Sequence, residues 1–579
     1  RDIISDKLIK IENYDRLGFV IDEHFESIDT ESLIQYPQLF NEAEIKKAQK
    51  KAGDFPKIIP VSGYFIIKKS GEGQGILNEL DAMSKEDNFS SSLNALFGSE
   101  SVSKPTPEKI AYIPTILNKA QENIIQSLSE NVLNFIVGPP GTGKTYTIAA
   151  MAFEQVSKGK SVLIVSRTDQ AVDVIAEKIE NEFDLHEVIV RAGKSQYLKD
   201  LKNYIENLMS GMEGATDVSN KDIKKTKQKI EETQKYIAKV EKIFDKQVNK
   251  EKSKGEFLFH KKEGLFSNLK YSYLKKKSNP QYLMSNIADT LEDNYEHLIV
   301  LIKLYFKLTM TVNQNDVLAK NRESVANILK ALRARTGLRK EEYFKKVDNK
   351  ILFKIFPIWL VKMKDIYKVL PNTREMFDVA IIDEATQCDI ASCLPIFNRA
   401  KKIVVCGDPK QLRHISFLPT KTQENLFEKF NLDKGSLTKD FFDYRNNSII
   451  DIVNFAVKSQ SQISFLNEHF RSCPSIIRFS NKEFYANKIL LMTNRPGLPK
   501  NQGLNIIECN SKRDENGVNH KEAEAIFKAI KSKFQLLNEN SNLKTKSIGI
   551  LSPFRDQVEH FKQQAEKMLG DTLISRISF

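Results

Sequence analysis

Eight residues constrain this chain more than any others: Gly138-Pro139-Pro140-Gly141-Thr142-Gly143-Lys144-Thr145. Glycine, four residues, then Gly-Lys-Thr is the spacing of a phosphate-binding loop. The apolar run Phe135-Ile136-Val137 before it reads as a buried strand, and Tyr146 to Val156 after it has helical character. Strand, loop and helix in that order are the context the pattern requires. Glycines let successive backbone N–H groups turn toward one phosphate, and the helix N-terminus adds positive potential there. Lys144 is placed to reach the β- and γ-phosphates of ATP, and the Thr145 hydroxyl to ligate Mg²⁺. A chance lysine in a glycine-rich turn would not explain the flanking strand and helix.

Composition sets the scale. At roughly 100–200 residues per domain, 579 residues predict three to five units. A net charge of +13 points to a polyanionic partner. Residues 221–280 carry 18 Lys against 8 Asp and Glu, an excess of 10. The five cysteines, Cys388, Cys393, Cys406, Cys473 and Cys509, show no paired spacing and no histidine cluster. Free thiols in a reducing compartment follow, and zinc does not. The longest apolar run, Leu298 to Val312, is interrupted by Lys303 and Lys307. The expectation is a cytoplasmic protein without a membrane span, with the nucleus left open.

Along the chain, residues 1–109 form an N-terminal region. Within it, Gly63 to Ile67 is strand-like, Gly71 to Gly75 a turn, and 84–107 a Ser/Asn/Pro-rich linker. Residues 110–194 open an α/β domain. A helix from Leu117 precedes the phosphate-loop strand, and Ser161 to Val165 is a second strand leading to a helix through Ile179. Successive βα units predict a parallel sheet. Residues 195–350 break the rhythm. Ile223, Ile230, Ile237 and Phe244 recur every seven residues among lysines, and Leu291, Leu298 and Tyr305 repeat the spacing. That predicts an inserted antiparallel helical stalk, either a phosphate-binding surface or a solvated face.

The α/β pattern resumes in 351–460. Trp359 lies in a strand candidate, and the apolar strand Phe377 to Ile382 ends in Asp383-Glu384. Ligands sit beyond the carboxyl ends of parallel strands. Asp383 is therefore expected to hold Mg²⁺ through its hydration shell, and Glu384 to orient or deprotonate water. Ile403 to Cys406 is another strand, followed by Gly407-Asp408-Pro409-Lys410-Gln411 with an uncharged donor for a γ-phosphate. Residues 461–579 form a second α/β domain, with strands expected at Ile463–Leu466, Leu504–Glu508 and Ile548–Phe554.

Taken in order, these residues resemble superfamily 1 helicases of the 5′→3′ subclass, the group of the nonsense-mediated-decay helicase. Leu117-Asn118 with Gln121, the phosphate loop, Ala171-Val172-Asp173, Asp383-Glu384-Ala385-Thr386-Gln387, Gly407 to Leu412, His469-Phe470-Arg471-Ser472, and Gly549 to Phe554 with Gln557 carry the match. They span about 110–560, with the insertion outside. The resemblance implies two RecA-like domains, the second incomplete. It implies that Gln121 reads adenine, that Gln387 and Gln411 contact the γ-phosphate or its water, and that Arg471 reaches the transferring phosphate from the second domain. Ser166, Arg167 and Thr168 fall where the family touches nucleic-acid backbone. The family's Gln-Gly segment and final arginine motif are not found before Phe579, so the expected reading is a chain stopping inside the second domain.

The resulting expectation is an ATP-dependent motor on single-stranded DNA or RNA, with 5′→3′ polarity coming only from the resemblance. A nucleic-acid clamp without unwinding, and an arm that docks a protein partner through the insertion, remain alternatives.

Overall fold

The computed structural model describes residues 8–11, 19–21, 73–98, 112–185, 188–210, 218–259, 265–276, 280–334, 337–432, 441–493, 506–538, 547–569 and 574–578. The chain divides into two units, Arg1–Gly75 and Ile76–Phe579. In the first, Leu8–Ile11 (β1) pairs antiparallel with Phe19–Ile21 (β2). The strand expected at 63–67 lies outside the described residues.

The larger unit is built on one seven-stranded sheet. Helices Gln74–Met83 (α1), Ser91–Phe97 (α2) and Lys119–Glu130 (α3) precede its first strand, Leu133–Val137 (β3). Next come Lys144–Ser157 (α4), Val162–Ser166 (β4), Asp169–Phe183 (α5) and Ile189–Ala192 (β5). Ile358–Lys362 (β6), Phe377–Ile382 (β7), Ala400–Gly407 (β8) and Ile463–Phe465 (β9) complete it, in the order β5-β6-β4-β7-β8-β3-β9. Every pairing is parallel. Leu163 and Val165 of β4 enter one apolar core and Val162 and Ile164 the opposite one. A parallel sheet covered by helices on both faces needs such continuous apolar strands.

Two boundaries differ from the sequence expectation. Within the stretch 84–107, residues 84–98 are described and are not simply a linker, because α2 is seated on the sheet. Leu93 and Leu96 are buried, and the Ser92 hydroxyl donates to the carbonyls of Phe397 and Ala400. Glu79 of α1 pairs with the fully buried Arg399 guanidinium. The strand at Ile463 does not open the second domain. It adds to the first sheet beside β3, with Leu466 N donating to Val137 O at 3.0 Å.

The insertion contains Ser195–Ser210 (α6), Asn220–Phe259 (α7), Leu265–Lys276 (α8), Pro280–Lys320 (α9), Arg322–Arg333 (α10), Gly337–Lys345 (α11) and Asn349–Ile355 (α12). Helices α7 and α9 run antiparallel. Tyr295 reaches Glu241, while Tyr112 bridges Glu231, earlier on α7, and Tyr305, later on α9. The heptad seam is the contact face, with Ile230, Ile237 and Leu298 buried. The base is not a free stalk. Phe306 packs on Phe153 of α4 at 4.9 Å between ring centroids, and α6, α10 and α12 bury apolar faces in the sheet's core. Lys224 and Lys225 are exposed, and Lys277 lies outside the described residues.

After β6 come Ile366–Val369 (α13), Ile390–Asn398 (α14), Thr420–Lys429 (α15) and Ile449–Ala456 (α16). Beyond β9 the chain is thinner. Glu468–His469 (β10) precedes Pro474–Tyr485 (α17) and pairs with Leu490–Leu491 (β11). His520–Asn538 (α18), Ile548–Gly549 (β12) and Arg555–Met568 (α19) lead to Ile577–Ser578 (β13), which pairs with β12. The strand expected at 504–508 is irregular over 506–508, and 504–505 lie outside the described residues. The strand expected over Ile548–Phe554 ends at Gly549, where its pairing with β13 ends. No helix among the described residues is long and apolar enough to cross a membrane.

Candidate functional site

The carboxyl ends of β3, β7 and β8 converge on a cleft of about 800 Å³. The phosphate loop forms its floor. Gly138 N donates to Gly407 O at 3.0 Å, and the Thr142 hydroxyl donates to Pro139 O at 2.7 Å, closing the loop on itself. Gly143 caps α4 at φ +80°, a conformation that costs a residue with a side chain about 1–2 kcal/mol. Gly138, Pro139, Pro140, Gly141, Gly143, Lys144 and Thr145 all line the cleft, while Thr142 is buried behind it.

Lys144 Nζ lies 2.5 Å from Glu384 Oε1 and 3.1 Å from Asp383 Oδ1. Burial would lower the ammonium pKa, but the two carboxylates outweigh it and hold the pKa well above the ordinary lysine value. Asp383 is 3% exposed, and burial raises its pKa against the pull of Lys144. Its Oδ1 is within ion-pair distance of the lysine yet makes no hydrogen bond, so coordination capacity remains. Glu384 adopts φ +52°, a left-handed backbone at the strand end that projects its carboxylate into the cleft. Such strain in a non-glycine residue gathers at functional sites. An oxygen donor set on Asp383 and Thr145, beside the Lys144 ammonium and a helix N-terminus, fits a magnesium–nucleotide complex.

The segment that follows β9 closes one side. The Phe470 N–H donates to Gly141 O at 2.9 Å, and His469 Nδ1 lies 2.9 Å from Pro140 O. Ser472 N–H donates to His469 Nε2 at 2.7 Å, which fixes the neutral ring with its proton on Nδ1. A Cβ on Gly141, where φ is +77°, would stand 2.5 Å from His469 Cε1. Glycine is what lets the two segments meet. Arg471 follows directly and lines the cleft. Asn118 Nδ2 adds a bond to Glu468 at 2.9 Å.

Among the other expected residues, Gln411 lines the cleft and donates to Asp408 Oδ2 at 3.2 Å. Gln121 lines it too, but its amide is engaged. Oε1 accepts the Asn118 N–H at 3.0 Å in a capping box, and Nε2 donates to Thr147 at 3.2 Å. The Asn118–Gln121 pair therefore has a helix-capping role on its own account. Gln387 does not line the cleft, and its main chain bonds Glu384 and Arg167. Ser166 is fully buried with its hydroxyl on Asp383 O at 3.4 Å, so it offers nothing to a backbone outside. Arg167 and Thr168 are exposed beside it, Thr168 capping α5 through Ala171 N at 3.2 Å. Sequence reasoning did not single out His469 or Tyr485 as contacts.

Two family models, each described as an AAA domain, match residues 116–337 with 366–417 and residues 451–577. The first match runs through most of the insertion, which the motifs alone leave outside. Helicase Sen1 of Saccharomyces cerevisiae aligns over 514 residues at 22% identity, 80% of this chain and 20% of its own length. An uncharacterized ATP-dependent helicase of Mycoplasma pneumoniae aligns over 229 residues at 24% identity, 37% of this chain and 20% of its own. A regulator of nonsense transcripts 1 homolog of Arabidopsis thaliana is 42% identical over 64 residues, 11% of this chain and 5% of its own. The chain spans about a fifth of the length of the first two relatives.

Proposed function

Because the chain belongs to the superfamily 1 helicases of the Sen1 and nonsense-transcript-regulator type, we propose that it hydrolyses ATP to move along single-stranded nucleic acid. The observation that carries this reading is Arg471, whose segment is held on the phosphate loop by the Phe470 N–H and the His469 ring, and which lines the same cleft as Lys144 and Glu384. An arginine delivered from a second domain ties chemistry to domain closure.

The residues divide the work as follows. Loop N–H groups and Lys144 bind the phosphates. Thr145 and Asp383 would hold Mg²⁺, which neutralises charge on the phosphates when bound. Lys144 is held by Glu384 and Asp383 in the structure. Its transfer to phosphate frees the Glu384 carboxylate to accept a proton from water, so the base is released only when substrate is present. Gln411 senses the γ-phosphate and Arg471 places positive charge on it. Ile116 and Phe470, 60% and 53% exposed at the cleft, offer apolar faces to a base.

Arg167 and Thr168 at the sheet edge, and the lysine face of α7, are the candidate contacts to phosphodiester backbone. A 5′→3′ polarity and a reducing, cytoplasmic setting belong to the same proposal, the second supported by five free thiols. The test is steady-state ATP hydrolysis with and without oligo(dT) and oligo(U), with Lys144→Ala as control. Stimulation by one polymer, absent in the variant, is expected. Hydrolysis indifferent to both would contradict the motor reading.

A further inference from the structure

Gln411 is oriented by a second residue, and that residue is oriented by the second domain. Gln411 Nε2 donates to Asp408 Oδ2 at 3.2 Å, and the same oxygen accepts the Tyr485 hydroxyl at 2.6 Å. Asp408 Oδ1 accepts the Lys410 N–H at 3.0 Å. These donors are all neutral. Asp408 is 1% exposed and Tyr485 9%, so the bond between them forms away from competing water, where it is stronger and costlier to lose.

Tyr485 is the last residue of α17, the helix that begins three residues after Arg471. The Asn481 side chain fixes that end of the helix, accepting from Ile489 N at 3.0 Å and donating to Ile489 O at 2.9 Å. Ile489 leads into β11, the partner of the strand that carries His469. One short helix thus touches the nucleotide site from both ends. Its leading segment lies on the phosphate loop, and its trailing hydroxyl on the loop that holds Gln411.

We propose that Tyr485 is a positioning residue: through Asp408 it sets the orientation of the Gln411 amide and links it to the second domain. This rests on the reading of Gln411 as a γ-phosphate sensor. When Gln411 turns toward a phosphate it releases Asp408 Oδ2. The Tyr485 bond then keeps the carboxylate in place, and movement of α17 is felt at the Gln411 loop.

The test uses the full chain and ATP hydrolysis with oligo(dT) or oligo(U), comparing Tyr485→Phe, Gln411→Ala and the double variant. Losing one buried hydrogen bond to a carboxylate is expected to lower kcat by about tenfold, with KM for ATP changed by less than about twofold. In the Gln411→Ala background the same change is expected to cost nothing more, because the pair acts as a unit. Full kcat in Tyr485→Phe overturns the proposal, and so does an additive loss in the double variant, which would place the hydroxyl's role elsewhere. Should Tyr485→Phe not fold, Asp408→Ala removes the acceptor itself, and full kcat there overturns it. The two readings separate cleanly. Unimpaired Gln411→Ala removes the sensor reading and this proposal with it, whereas impaired Gln411→Ala with unimpaired Tyr485→Phe removes this proposal alone.

Discussion

The two sides of the cleft are built differently. On one side, seven parallel strands carry the phosphate loop, Asp383, Glu384 and Gln411 at one edge, with fully buried residues on both faces. On the other side, the described residues form two-stranded pairs and a core of seven buried residues centred on Phe527 and Phe561. The first side is tied together by backbone hydrogen bonds between neighbouring parallel strands. The second meets it at the cleft through a few contacts: His469 and Phe470 on the loop, Glu468 on Asn118, and Tyr485 on Asp408. A broad sheet platform faced by a smaller core across the cleft is the arrangement that the proposed nucleotide-driven closure would use.

The platform is tested first by its own charges. Lys144→Ala is expected to lower ATP turnover on the order of 10³-fold, removing the donor to the transferring phosphate. Glu384→Gln is expected to lower kcat about 10²- to 10⁴-fold while nucleotide affinity stays near wild type, since an amide keeps the shape but not the base. If affinity fell as far as kcat, the assignment of Glu384 to the chemical step would fail.

The tether is tested at Gly141. Alanine there meets His469 and adopts a strained φ, so turnover is expected to fall about tenfold or more. Pairing it with His469→Ala removes the imidazole's share of the clash, with the Arg471 Cβ still 2.8 Å away, and is expected to restore part of the loss. Gly159→Ala, at φ +74° with nothing within 4 Å, controls for backbone strain alone. No rescue by His469→Ala would show that the imidazole contact is not what alanine disturbs.

The tether is also expected to respond to pH. Burial holds the His469 pKa below its ordinary value, the Pro140 carbonyl opposes this, and Arg471 adds to it. Unfolded histidine takes up a proton near pH 6.5 that the folded ring does not, so the contribution is intact above about 6.5 and is lost as pH falls toward the folded value. Thermal melts of wild type and His469→Asn between about pH 7.5 and 5.5 should converge as pH falls. Parallel curves would contradict the neutral-ring assignment. The smallest expected effect separates neighbours on the platform edge. Arg167→Ala should weaken binding of single-stranded oligonucleotide, with a shallower salt dependence, and Ser166→Ala should leave it unchanged. Equal losses would mean that burial of Ser166 does not decide the matter.

The same contrast explains what could be read from the sequence. The strands of the platform were legible because fully buried parallel strands are continuous apolar runs, as at Val162 to Val165 and Ile403 to Cys406. Lys144, Asp383, Glu384 and Gln411 follow from what stands just after such runs. Contacts between elements far apart in the chain were not legible. Nothing in the spacing says that Gly141 is small because His469 packs on it, or that Ser166 turns inward to Asp383. The strand Ile463 to Phe465 was visible as a strand, but an edge of three residues does not announce which sheet it joins. The seam of α7 and α9 was readable from its seven-residue period, whereas the docking of their base on Phe153 depends on an aromatic contact that no period encodes.

The central claim is that Arg471 completes, from across the cleft, a site the platform cannot operate alone. Single-turnover ATP hydrolysis by Arg471→Ala, measured alongside binding of a non-hydrolysable ATP analogue, tests it most directly. The account predicts hydrolysis slowed about 10³- to 10⁵-fold with analogue affinity changed by less than about tenfold. Hydrolysis at the wild-type rate would contradict it.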